Sequence, residues 1–345
     1  SKLAGGLQLL SIMPEKIMTM VGEIEDSGTD WGDMPKYINQ VLNEKVGDGN
    51  NLFVAVRCRP PNKRELALSG GICVAIDSPS TVRVSLEDEN KPKREFHYDA
   101  AFSMEDDQLH VFETIGVPLV QSCLQVFNSS IFAYGQTSSG KTFSMVGRIG
   151  TCLVGLTPRI TYLLFEAIKA KGGEDETLEV KVEASYLEIY NEKLRDLLNK
   201  DESVKLKVRE NNLKGVHVEG LVTKHVKTME DCQEWVDKGF ANRTTAATKY
   251  NSESSRSHAV FEIHVEQKFL NKVAGDKMVR TSKISIIDLA GSERSDKLGS
   301  AAGSKEMKEG QNINLSLSTL GRVIKALNDV ATQKKGSKKK IIVRS

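Results

Sequence analysis

Five cysteines in 345 residues, Cys58, Cys73, Cys123, Cys152 and Cys232, lie far apart with no paired C-x-x-C. That spacing supports neither a zinc site nor a disulfide framework, and a reducing compartment is expected. There is no long apolar span and no basic leader running into an apolar core, so neither membrane insertion nor secretion is expected. Internal repeats are missing, and so is any guanine-reading N-K-x-D segment. The only biased stretch is rich in lysine and lies near the end. What remains is ordinary globular usage, 39% hydrophobic and 27% charged, in a chain long enough to bury a large core.

Against this background, Gly135-Gln136-Thr137-Ser138-Ser139-Gly140-Lys141-Thr142 fits G-x-x-x-x-G-K-[ST] and follows Ser130-Ile131-Phe132-Ala133-Tyr134, an apolar run that reads as a buried strand. Small residues let successive loop N–H groups close on an oligophosphate. Lys141 supplies a point charge at the outer phosphates, and the Thr142 hydroxyl offers a ligand to Mg²⁺. A bare Gly/Ser turn between strand and helix is the bland alternative.

Two further stretches narrow the class. Ile284-Ser285-Ile286-Ile287-Asp288 is an apolar strand ending in a carboxylate, as expected of the group that holds a Mg²⁺ shell, and it runs on into Leu289-Ala290-Gly291-Ser292-Glu293. Gly291 can present a bare amide to a γ-phosphate. Asn251-Ser252-Glu253-Ser254-Ser255-Arg256-Ser257-His258 clusters hydroxyls around one guanidinium, suited to ordering water and phosphate together.

These three stretches, in this order, resemble the kinesin motor domain, whose P-loop is commonly GQT-x-SGKT and whose switches read N-x-x-SSRSH and DLAGSE. Supporting segments match too: Arg57-Cys58-Arg59-Pro60, Ser185 to Glu192 followed by Arg195-Asp196-Leu197-Leu198, and Ile313-Asn314-Leu315-Ser316-Leu317 leading into Leu320-Gly321. The likeness runs from about Asn51 to Ser345.

The resemblance implies a three-layer α/β fold of P-loop NTPase type, with a central, mostly eight-stranded mixed sheet and helices on both faces. It implies ATP and Mg²⁺ as ligands, hydrolysis of ATP, microtubules as partner, and a cytoplasmic, cytoskeletal location, with neither nucleic acid nor membrane among the partners. By it, adenine would lie against Arg57, Arg59 and Pro60, with Phe143 as a second stacking surface. Gly135 through Thr142 would wrap the phosphates. Thr142 and Ser255 would bind the metal, and Asp288 would hold it through water. Asn251, Ser254, Ser255 and Gly291 would position the attacking water, and Arg256 and Glu293, on the two switches, would pair as a gate. Loss of phosphate would let 293–310 reorder and reposition the following helix. A non-motile kinesin that depolymerises filament ends and a non-enzymatic microtubule-binding module are the rival readings; intact Lys141, Thr142, Arg256, Asp288 and Glu293 argue against the second. The family continues past a segment like Ile341 to Ser345, so residues 51–345 read as a motor domain incomplete at its C-terminus, with dimerisation left to regions absent from this chain.

Charge is uneven. Lys334, Lys335, Lys338, Lys339, Lys340 and Arg344 sit together without an acid among them. Alone such a run is a solvated loop; in a kinesin-like frame it would meet the acidic tails of tubulin. Just before it, Ile313, Leu317, Leu320, Ile324 and Leu327 share one helical face, leaving Arg322 and Lys325 on the opposite, free face. Lys205, Lys207 and Arg209, followed by Lys214 and Lys224, form a second basic group, near which the resemblance implies a microtubule contact, although alternating charge on a half-exposed strand needs no partner.

Elsewhere an α/β order is legible. Leu52 to Val56 reads as a first strand, Val180 to Tyr190 and Phe261 to Val265 as further strands, and Thr157 to Lys171 as a helix with Thr157 as N-cap and Pro158 in the first turn. His264 is expected to face outward without chemistry. Residues 1–50 form an extension of unknown role. Ile12 to Ile24 and Met34 to Val46 suggest short helices, and Trp31 with Met34 either docks on the surface of the main domain or belongs to a small satellite core, the second being the safer reading.

Overall fold

A computed structural model describes residues 29–46, 52–67, 73–85, 93–174, 177–199, 201, 203–211, 215–249, 256–270, 276–293, 315–326 and 329. In chain order its elements are α1 (Met34–Asn43), β1 (Ala55–Arg57), α2 (Lys63–Leu66), β2 (Val74–Ser78), β3 (Thr81–Val84), β4 (Arg94–His97), β5 (Ala100–Phe102) and α3 (Gln108–Val111). A π-turn, Phe112–Gly116, leads to α4 (Val117–Leu124), followed by β6 (Ser129–Ala133), α5 (Lys141–Met145) and α6 (Leu156–Glu174). Then come β7 (Glu179–Tyr190), β8 (Lys193–Asp196), β9 (Lys207–Asn211), β10 (Gly215–Glu219), β11 (Lys224–Val226), α7 (Met229–Lys249), β12 (Ser257–Leu270) and β13 (Lys277–Asp288). A last helix occupies 315–326.

The central sheet runs β11-β7-β12-β13-β6, with β8 on β7. β12 is antiparallel to both neighbours, and β13 is parallel to β6, so the sheet is mixed. Period-2 alternation decides which side is covered. Ala259, Phe261, Ile263 and Val265 on β12, Val182, Ala184 and Tyr186 on β7, and Ile284 and Ile286 on β13 all point to one face, where they meet α4, α6 and α7 in a single core. The helical period of α6 puts Ile160, Leu163, Leu164 and Ala167 into that core with no exposed surface. His258 is one residue out of phase with Ala259 and reaches the other face, where it meets Ser316 of helix 315–326.

Several expectations change. Among the described residues the central sheet has six strands rather than eight; β1 pairs with β5 alone, and β2-β3-β4 form a separate antiparallel sheet. β1 starts at Ala55 rather than Leu52. β6 is not a buried strand: Ile131 and Ala133 pack against the core, while Phe132, alternating to the opposite face, is 46% exposed. Helix α6 begins at Leu156, which puts Thr157 inside the first turn rather than at its cap. In helix 315–326, Leu317 and Leu320 are half-buried but Ile324 is exposed, and Arg322 and Lys325 are exposed as expected.

The Trp31 and Met34 segment joins the main core and not a satellite. Tyr37 and Val41 of α1 are 2% and 1% exposed, and Met34, Ile38 and Leu42 pack against the same cluster. Asp33 caps the helix by accepting from the Lys36 amide, and Pro35 sits in the first turn. Trp31 stacks on Tyr162 at 4.4 Å, the Tyr37 hydroxyl donates to Glu113 at 2.6 Å, and Gln121 donates to the Glu44 carbonyl at 2.9 Å. His264 does lie outward, its Nε2 3.5 Å from Glu262.

Candidate nucleotide site

The site starts where β6 ends. A turn from Tyr134 to Gly140 leads into α5, whose first residue is Lys141. Gly140 has φ +95, and a Cβ on Gly135 would lie 2.5 Å from the Ser139 hydroxyl, so both positions need glycine. Ser138, between them, adopts φ 63 despite its side chain. Lys141 Nζ curls back over this turn and donates to the Gly135 and Gln136 carbonyls at 2.8 and 3.0 Å. Burial lowers the Lys141 pKa, while Asp288 and Glu293 pull it back up.

Parallel pairing of β13 with β6 brings Asp288 beside Ala133, at the mouth of the turn. The chain then wraps the turn: Leu289 N donates to the Ala133 carbonyl at 3.2 Å and Ser292 N to the Gly135 carbonyl at 3.1 Å. The Thr142 hydroxyl donates to Asp288 Oδ2 at 2.9 Å. The other oxygen, Oδ1, is buried and has no hydrogen-bond partner among the described residues. A hydroxyl beside a carboxylate with one unspent oxygen is a donor set suited to Mg²⁺, which takes one or two protein ligands and keeps waters and phosphate oxygens for the rest.

Glu293 closes the far side. Its carboxylate accepts from the Thr137 amide at 2.9 Å and from the Thr137 hydroxyl. Burial raises its pKa, but the Thr137 bonds outweigh burial and hold it below the ordinary carboxylate value. A side chain on Gly291 would meet this carboxylate in its present position, so Glu293 would have to move aside to admit one. Glu293 thus contacts the glycine-rich turn, whereas the expected gate would place it on Arg256; Arg256 is half-buried at the start of β12. Asn251, Ser254 and Ser255 lie outside the described residues, as do Lys214, 294–310 and Lys334 to Lys340.

The expected base-binding residues converge on the same mouth. Arg59 Nε donates to the Ser138 carbonyl at 2.7 Å, and its guanidinium forms a bidentate pair with Glu65 at 2.7 and 2.5 Å. Arg57 donates to Gln108 Oε1 at 2.6 Å and to the Ser144 hydroxyl at 3.0 Å, with its guanidinium 5.5 Å from the Phe143 ring. Phe143 is 38% exposed and Pro60 is exposed, so both offer free surface at the pocket's edge. Arg57 is anchored more deeply than a base-stacking group needs to be.

Three contributors were not identified from sequence. Arg243 of α7, 4% exposed, lies 3.4 Å from Asp288 and 3.6 Å from Glu188, and donates to the Ser257 carbonyl at 2.9 Å. His258 accepts from the Ala290 amide at 2.9 Å; burial, then Arg243, pushes its pKa down to about 4 against the pull of Asp288. Gln108 fastens the Phe143 and Leu153 carbonyls at 2.8 and 3.2 Å. His258 ends a quoted motif and was open to assignment; Arg243 and Gln108 acquire meaning only from distant chain. The basic hairpin β9–β10 is exposed, with Arg209 paired to Glu219 at 3.1 Å, and Lys224 lies 4.9 Å from the Trp235 ring.

A mixed sheet, a glycine-rich turn between strand and helix, and a carboxylate at the end of the adjacent parallel strand define a P-loop nucleotide-binding protein. Comparison carries this one step further. The family model of the kinesin motor domain matches residues 57–342. The human kinesin-like protein KIF13A is 44% identical over 299 residues, covering 83% of this chain and 16% of that protein. A solved structure of a fast kinesin superposes with TM-score 0.71 at 34% identity, over 82% of this chain and 77% of that one. The KIF14 dimer bound to a microtubule with AMP-PNP gives 0.72 at 36% identity, over 83% and 80%. The chain belongs to the kinesin motor-domain family, and it spans about a sixth of the length of the curated relative.

Proposed function

We propose that this chain hydrolyses ATP to ADP and phosphate, that microtubules accelerate the turnover, and that the cycle drives force or movement along them in the cytoplasm. The observation that carries this reading is the Thr142–Asp288 pair at 2.9 Å beside Lys141, with the second Asp288 oxygen buried and unspent. Mg²⁺, held by Thr142 and Asp288, would supply charge neutralisation at the β- and γ-phosphates. Lys141 leaves the Gly135 and Gln136 carbonyls for phosphate oxygens, and the loop amides between Gly135 and Thr142 hold the chain of phosphates. Gly291 offers its amide at the terminal phosphate. Glu293, released from Thr137, can then pair with Arg256 and shut bulk water out. Asn251, Ser254 and Ser255 orient the attacking water in this reading. The exposed Arg322, Lys325, Lys205, Lys207 and Arg209, together with the lysines from Lys334 to Lys340, supply the positive face that an acidic filament attracts.

The test is a turnover assay with and without microtubules. Lys141→Ala should abolish ATP hydrolysis, and the unmodified chain should speed up when microtubules are added. Basal hydrolysis with no acceleration would remove the filament from this reading and leave an ATPase.

A further inference from the structure

One tie between helix 315–326 and the nucleotide pocket is a single side chain. His258 follows Ser257 at the start of β12, where register pairs the next residue, Ala259, with Asp288. The sheet therefore fixes the imidazole beside the turn that Asp288 begins. Its Nδ1 accepts from the Ala290 amide at 2.9 Å, and its Nε2 lies 2.8 Å from the Ser316 hydroxyl. Since a backbone N–H can only donate, Nδ1 must carry the lone pair, so the ring proton sits on Nε2 and points to Ser316. Ala290 is fully buried and His258 is 6% exposed, so the bond to Ala290 is shielded from water, while Ser316 at the other end is half-buried.

We propose that His258 is a positioning residue that joins the turn after Asp288 to helix 315–326, so that a shift of Ala290 is handed to the helix through Ser316. This rests on the function proposed above, in which Gly291 of that turn meets the terminal phosphate and the helix's exposed Arg322 and Lys325 meet the filament. A rigid aromatic ring with one bond at each end transmits displacement in both directions, which a flexible lysine or a water could not do. The role differs from catalysis: the ring's two hydrogen bonds go to the Ala290 amide and the Ser316 hydroxyl, neither of which is assigned to phosphate or metal.

Hydrogen exchange of the amides in 315–326, compared with ATP and with ADP present, tests the link directly. In the unmodified chain the two nucleotides should give different protection there. Ser316→Ala removes the acceptor on the helix, and His258→Asn keeps an acceptor for Ala290 but is too short to reach Ser316. Each should erase the difference, Ser316→Ala while nucleotide affinity and basal turnover hold, and each should cut microtubule acceleration by at least about fivefold, the lower range for coupling between sites. The double variant should lose no more than either single one, since both cut the same connection. Nucleotide-dependent protection that survives in Ser316→Ala, or that is absent from the unmodified chain, overturns the proposal. Acceleration missing from the unmodified chain while exchange behaves as expected would instead remove the filament and leave the joint intact.

Discussion

Arg243 lies 3.4 Å from Asp288 and 3.6 Å from Glu188 with 4% of its surface exposed; removing it takes the arginine from Asp288, while Glu188 keeps Arg195 at 3.6 Å. Breaking a buried pair from one side costs about 3–5 kcal/mol, more than the pair itself contributes, because the remaining charge is left without a counterpart. Arg243→Ala should lower the denaturation midpoint accordingly, and Arg243→Lys should restore only part of it, a point charge being unable to span both carboxylates and the Ser257 carbonyl. Backbone conformation sets a second expectation at this scale. Gly140 sits at φ +95, where a Cβ adds about 1–2 kcal/mol, whereas Ser138 already bears that kind of cost at φ 63. Gly140→Ala should therefore weaken ATP binding and lower the melting temperature, and Ser138→Gly should lower neither. A loss of ATP affinity in Ser138→Gly equal to that in Gly140→Ala would show that side chains, not φ, govern the turn.

At the scale of elements, α1 is bound to the core by aromatic contacts that reach far along the chain. Tyr37 places its ring 5.7 Å from Phe112, edge to face, and its hydroxyl on Glu113. Tyr37→Ala should cost about 3–5 kcal/mol as a large-to-small core change. Tyr37→Phe should cost only about 1 kcal/mol, since Glu113 is exposed and takes up water instead. Chemical denaturation of both variants separates ring packing from the hydroxyl. Sequence could suggest a helix starting at Met34 but not its destination, because Tyr162 and Glu113 are distant in the chain and periodicity carries no information about partners. α6 was readable for the opposite reason: one apolar face at 3.6 spacing suffices to bury Ile160, Leu163 and Leu164. The exposure of β6 was not readable, since an apolar run does not say which of its two faces is covered. In the site, the glycine-rich turn and Asp288 were legible because each motif carries its own chemistry. Arg243 was not: a lone arginine on a helix means nothing until folding brings residues 188, 243 and 288 together.

For the whole molecule, the pocket is a product of folding. Arg59, Lys141, Arg243 and Asp288 come from separate parts of a 345-residue chain, so ATP can bind only the folded state. A ligand present at 100 times its dissociation constant then adds about 2.7 kcal/mol of stability. With an unfolding entropy of about 2.1 cal/mol/K per residue, or roughly 0.7 kcal/mol/K for a chain of this length, that amounts to a rise of about 4 °C in melting temperature. Scanning calorimetry with ATP and Mg²⁺ should show this rise, and Lys141→Ala should abolish it. Chelating the metal while leaving ATP in place should remove much of it, because the unspent Asp288 carboxylate oxygen can engage the phosphates only through a cation. An undiminished rise after chelation would mean that ATP is held by the glycine-rich turn and Lys141 alone, and the metal would then have to be assigned to turnover and not to binding.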